Sequence, residues 1–119
     1  MTERTSTGID QNTAALLSYV FTWISGLIFF LLEKDNKYVR FHALQSILLG
    51  ISWVVISILL VIVMQILSYI PFLGGFLRTV LGLVYFVSYF VVLIMAMLKA
   101  FQGERYKFPI IGDIAERNV

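Results

Sequence analysis

An all-α fold is predicted, a polytopic integral membrane protein with three transmembrane helices in a small bundle and a cytoplasmic interfacial tail. Three observations lead there. Residues 13 to 98 are almost wholly apolar, one charged interruption from Glu33 to His42 divides them, and the resulting pieces have membrane length. A helix rises 1.5 Å per residue, so ~20 residues cross the ~30 Å hydrocarbon layer of a bilayer.

Taken in order, residues 1–12 form a flexible polar N-terminus ahead of a transmembrane domain over 13–98. The first span, about 13–32, carries no charge before Glu33. The second, about 43–67, has only Gln45, Ser46, Ser52, Ser57 and Gln65 as polar members and is long enough to tilt. Ser68 to Thr79 contains Pro71, Gly74, Gly75 and Arg78, which is turn chemistry. The third span, about 79–98, closes at Lys99, and residues 99–119 form a cytoplasmic tail.

A water-soluble helical protein needs polar faces at a 3.6-residue period, and these runs are apolar all round. A cleaved signal peptide is not expected either, because the basic cluster follows the first apolar run instead of preceding it. Orientation is read from Lys and Arg. Lys34, Lys37 and Arg40 lie in the first loop and Lys99, Arg105, Lys107 and Arg117 in the tail, against Arg4 and Arg78 elsewhere. With three spans this places the N-terminus outside, and loop one and the C-terminus in the cytoplasm, of a multi-pass protein of the plasma or inner membrane. The net charge of +2 reflects that topology and suits anionic headgroups, whereas cations so few and so interleaved with acids do not suit nucleic acid.

With no cysteine, disulfides, thiolate catalysis and sulfur metal sites are excluded. A lone His42 makes no ordinary zinc site, and Ser46, His42 and Asp35 lack the surroundings of a catalytic triad. No catalytic, cofactor or metal site is expected, and no enzyme. The polar residues at the head of the second span, Arg40, His42 and Gln45, are instead candidates for a contact with lipid or a protein partner. For Arg40 the planar guanidinium suits a lipid phosphate or a carboxylate such as Glu33 or Asp113. The competing reading for this stripe is helix packing, since His42, Ser46, Gly50 and Trp53 share one helical face. Ser18 and Ser25 in the first span, with Ala14 and Thr22, and Gly82 and Tyr89 in the third, with Tyr85 and Ala96, form comparable packing faces.

The tail from Gln102 to Ile114 alternates Phe108, Ile110, Ile111 and Ile114 with Pro109 and Gly112, a pattern that needs cover and predicts an ordered segment folded back on the interface. Two stretches carry a resemblance: Leu31 to Ser46, reading LLEKDNKYVRFHALQS, and Tyr106 to Glu116, reading YKFPIIGDIAE. They are similar to a family of small prokaryotic membrane proteins grouped with the chloroplast inner-envelope import component, the twenty-kilodalton Tic protein. The plastid likeness rests on Arg40-Phe41 and Gln45. It implies a role in assembling a protein-conducting membrane complex, although three spans stand here where that family has four.

The function expected from these readings is a non-enzymatic interaction, assembly or translocon-like component. Its partners are the lipid bilayer and either further copies of itself or another membrane protein. The alternative is an oligomeric transporter or channel for ions, small solutes or lipid, with Ser, Tyr and Gln groups lining the conduit. No Asp, Glu, Lys or Arg lies mid-span to drive a charge-coupled one.

Overall fold

Apolar runs this long commit the backbone to helix, because only helices satisfy every amide within one segment. The computed structural model describes residues 5–119 as five helices: α1 (Gln11–Val20), α2 (Trp23–Leu32), α3 (Lys37–Leu67), α4 (Leu73–Phe101) and α5 (Ile111–Arg117). The molecule is long and narrow, 58 × 22 × 21 Å.

Helices α3 and α4 are the two elements long and apolar enough to cross a membrane. Asn36 starts α3, its side-chain oxygen accepting from the Val39 amide at 3.0 Å. The helix therefore begins two turns before the apolar run and ends at Leu67, where the second span was expected to end. The turn is shorter than expected. Pro71 and Phe72, the latter at φ 61°, reverse the chain, and α4 already starts at Leu73, with Gly74 set against the Leu67 carbonyl. Arg78 and Gly75 are thus helical. The two long helices meet through ring edges, Trp53 on Tyr85 and Tyr89 with centroids 5.1 and 5.4 Å apart, and through a Ser57–Tyr85 hydroxyl contact.

The expected continuous span over 13–32 is corrected by the structure. The segment is two ten-residue helices separated at Phe21 and Thr22. Thr22 adopts φ 56°, ψ −126°, a conformation a β-branched residue rarely takes. Contacts along α3 give the direction of each half. Asn36 Nδ2 donates to Gln11 at 3.1 Å, Tyr19 reaches His42, and Ser46 donates to the Thr22 carbonyl at 2.6 Å, so α1 runs beside α3 in the same sense. Trp23 then rests on Gly50, Gly26 on Ala43 and Ser46, and Phe30 against Arg40, so α2 runs back. Each half is ~15 Å long, about half a bilayer.

A second difference follows. The amides of Ser6 and Thr7 donate to the Glu33 carboxylate at 2.7 and 2.9 Å, so the start of the described chain lies at the same end as loop one, where opposite ends were expected. The end of α4 and helix α5 are there too, through Tyr38 Oη donating to the Ala100 carbonyl at 2.6 Å and the packing of α5 on α3. Residues 1–4 of the N-terminal segment read as flexible lie outside the described residues.

Close helix approach is set by small residues. A methyl group on Gly26 would stand 2.8 Å from the Ala43 carbonyl oxygen and 2.9 Å from Ser46 Cβ, both on the backbone side of α3. Gly26→Ala is expected to destabilise the protein by about 1–3 kcal/mol through overpacking. Gly75→Ala, where nothing beyond the local helix backbone lies within 4 Å of the added methyl, is expected to cause no loss. Thermal unfolding of the two purified variants in mild detergent checks both.

Candidate functional site

At the shared end of the molecule, one turn and a half of α3 carries three side chains that the sequence reading singled out, and the structure sorts them. His42 and Gln45 point inward and are buried, whereas Arg40 lies half-buried at the edge.

The inward pair forms a closed hydrogen-bond network with two tyrosines and the tail. Gln45 Nε2 donates to Tyr19 Oη at 2.9 Å and to the Tyr106 carbonyl at 3.0 Å, while its Oε1 accepts from the Phe108 amide at 3.0 Å. The side-chain amide thus engages residues 106 and 108 as a neighbouring β-strand would. The Glu104 carbonyl can only accept, so His42 Nε2 carries a proton and donates it there at 2.8 Å. In the neutral imidazole Nδ1 is then the acceptor, and Tyr19 Oη donates to it at 2.7 Å while accepting from Gln45. Tyr38, Tyr19 and Phe41 set their rings edge-on to the imidazole at centroid distances of 4.8, 5.5 and 5.0 Å. Among the described residues no buried side-chain nitrogen or oxygen lacks a partner.

Further along lie the residues read as packing positions. Ser18 donates to the Ala14 carbonyl at 3.0 Å, Ser25 lies 3.0 Å from the Ser18 carbonyl, and the Gly82 surface faces Met64. Tyr89 shares a hydroxyl contact with Thr22, which ties α4 to the break between α1 and α2.

Arg40 differs from its neighbours. Its Nη1 donates to the Phe30 carbonyl at 2.9 Å and its guanidinium lies over the Phe30 ring, 4.0 Å from the centroid. The carboxylates expected to pair with it are engaged elsewhere. Glu33 is fully buried and accepts the Ser6 and Thr7 amides, and Asp113 pairs with Lys107 at 3.5 Å. Lys107 also meets Glu116 at 2.6 Å, and that hydrogen bond, ahead of Asp113, holds its ammonium above the usual lysine value. Arg40 borders an open cavity of 610 Å³ together with Lys34 and Lys37.

The site read from sequence did not include Tyr19 or Tyr38, and it offered Glu33 to Arg40 where the structure gives it the Ser6 and Thr7 amides. Only Tyr38 left a signal, one helical turn before His42 on the same face. Among the described residues no group of three His, Asp or Glu comes together to hold a metal ion.

Gln45→Ala removes the side chain that grips the tail and leaves the Phe108 amide and Tyr106 carbonyl without it. A loss of about 2–3 kcal/mol is expected from those unpaired groups. Trypsin should then cut after Arg105 and Lys107 several times faster than in the parent protein, which timed proteolysis read by mass spectrometry would measure.

Comparison with known proteins bears on the resemblance. Two UPF0132 membrane proteins of Methanocaldococcus jannaschii are similar. One is 43% identical over 110 residues, covering 92% of this chain and 71% of its own; the other is 44% identical over 115 residues, covering 96% and 93%. A UPF0132 membrane protein of Archaeoglobus fulgidus is 37% identical over 111 residues, covering 93% and 97%. No solved structure matches the chain. Small prokaryotic membrane relatives are therefore present as expected, whereas kinship with the plastid import component gains no support. Since the match to the MamF/MmsF family runs over residues 9–115, the chain belongs to the magnetosome magnetite crystal formation protein family.

Proposed function

We infer that the protein is a non-enzymatic integral membrane module that works by assembling with a second copy or with another membrane protein. One observation carries this reading. Only 11% of the most apolar stretch of α3 and 6% of that of α4 are buried within the chain, so a hairpin of two membrane-length helices stands uncovered beyond a fully satisfied polar base. Lipid or helices from another molecule must supply that cover. The hydroxyl groups that a conduit would require, on Thr22, Ser57, Tyr85 and Tyr89, are engaged with one another, which favours assembly over transport. The formation of magnetite crystals belongs to the family description; for this chain we carry over only residence in a membrane.

In this reading α3 and α4 cross the bilayer while α1 and α2 enter and leave on one side. That side is the cytoplasm of the cell, at its plasma or inner membrane. Seven Lys and Arg, at 34, 37, 40, 99, 105, 107 and 117, lie there, against Arg78 near the opposite end.

Single cysteines at Thr7, Asp35 and Gln102 should therefore all be shielded from a membrane-impermeant maleimide in intact cells, and one at Tyr69 should label. Labelling of Thr7 but not Asp35 from outside would restore a spanning first segment. For assembly, cross-linking in mild detergent followed by mass spectrometry should give a reproducible homo-oligomer or membrane partner. A strictly monomeric protein without one would sink the reading.

A further inference from the structure

We propose that the groove between α2 and α3 is a binding site for an anionic phospholipid, with the phosphate among Lys34, Lys37 and Arg40 and an acyl chain against Trp23. Two separate cavities carry this. The first, at the polar end, is the 610 Å³ cavity bordered by those three cations, with Phe30, Asp35 and Val119 also on its rim. None of the three cations forms an ion pair within the described residues, so the cavity sets three positive groups against two carboxylates, the Asp35 side chain and the α-carboxylate of Val119, and keeps a positive excess. Arg40 is the fixed member. One nitrogen is tied to the Phe30 carbonyl and the guanidinium is held over the Phe30 ring, while Arg40 still lines the cavity.

The second cavity is apolar, 370 Å³, lined by Trp23, Ile47, Gly50, Ile51, Val54 and Val55. It lies where α2 begins: Trp23 rests on Gly50 too closely for any side chain there, and Ile51, Val54 and Val55 beyond it are exposed. The two cavities lie on one stripe. Lys37, Arg40, Ile47, Ile51 and Val54 follow each other at three-, four- or seven-residue steps along α3, and Phe30 and Trp23 are seven apart on α2. From Lys37 to Gly50 the helix descends ~20 Å. A cationic mouth at the headgroup level, with an apolar slot further along the same stripe at acyl depth, matches an amphiphile with a phosphate head. A free phosphate would use the mouth alone.

The groove can be read directly, because Trp23 lines the slot and the chain has one other tryptophan, Trp53. In a Trp53→Phe background, the full chain in mild detergent is titrated with phosphatidylglycerol or phosphatidylcholine carrying brominated acyl chains, which quench a tryptophan they touch. Brominated phosphatidylglycerol is expected to quench Trp23 saturably at several-fold lower concentration than brominated phosphatidylcholine. Lys34→Gln with Lys37→Gln, both on exposed side chains, should weaken the phosphatidylglycerol curve by about two- to fivefold per cation and leave the phosphatidylcholine curve in place. Arg40→Gln should do the same, and if that variant unfolds, the lysine pair still decides. Equal quenching by the two lipids, unmoved by the lysine pair, would overturn the site while leaving residence in a membrane intact. Quenching by neither lipid would also overturn the site, and residence in a membrane is then judged by the maleimide labelling alone. Full relief of phosphatidylglycerol quenching by inorganic phosphate at matched concentration would mean a free-anion site and overturn the lipid assignment.

Discussion

The break between α1 and α2 is the constraint around which the N-terminal half is arranged. A chain that stops being helical among apolar neighbours exposes amides and carbonyls that no water serves, and such backbone is tolerated only where protein groups replace the water. Three hydroxyl side chains from the same region do this. Ser25 accepts the Phe21 amide and donates toward the Ser18 and Thr22 carbonyls; Ser46 from α3 donates to the Thr22 carbonyl; Tyr89 from α4 meets the Thr22 hydroxyl. The Thr22 carbonyl also takes the first amide of the new helix turn, from Gly26. Backbone at positive φ in a residue like threonine costs about 1–3 kcal/mol, and it persists here because α2, α3 and α4 all hold the same residue.

This is also why the sequence shows the apolar segment but not its fold. Nothing in Phe21-Thr22-Trp23 breaks a helix by itself, since there is neither proline nor glycine. The break is imposed from Ser46 and Tyr89, 24 and 67 residues away. What was legible is the set of faces: Ala14, Ser18 and Ser25, then His42, Ser46 and Gly50, then Tyr89 and Ala96. Small or polar residues at helical spacing in a lipid-facing composition mark contact with other helices whatever their direction. Counting charges gave the correct company for loop one and the tail. The N-terminus was placed apart from them because that step depended on one continuous helix. Glu33 was assigned to Arg40 for a similar reason, its true partners being amides 26 and 27 residues upstream in a segment with no pattern of its own.

Polar and apolar cohesion divide along the length of the molecule. At the loop end, Tyr19, His42 and Gln45 join α1, α3 and the tail through bonds that each use a defined donor and acceptor, so the arrangement has one tautomer and one register. In low dielectric such a network is strong when complete and costly when one member is missing. Beyond Gly50 this gives way to two long helices that touch mainly through Trp53, Tyr85 and Tyr89, edge-to-face pairs worth about 0.5–1.5 kcal/mol each beyond their area. The tail belongs to the first regime. Phe108 and Ala115 are buried against α3, and the Lys107 ion pairs with Asp113 and Glu116 sit outside them in solvent, where they align α5 and add little holding power.

The half-depth hairpin therefore creates an asymmetry that a spanning first helix would not. A complete third span would cover α3 over its whole length and leave lipid only the outer faces. By turning at Thr22, α1 and α2 end against Gly50, and the deeper half of α3 is bare on the side that α2 covers higher up. The same turn returns α2 to the surface beside the start of α3, which brings Phe30 under Arg40 and sets Lys34 next to Lys37 and Arg40. A cationic mouth and an apolar slot on one groove are thus consequences of a single backbone reversal. The small residue at Gly50, read from sequence as packing, is what allows Trp23 to close the groove at that depth.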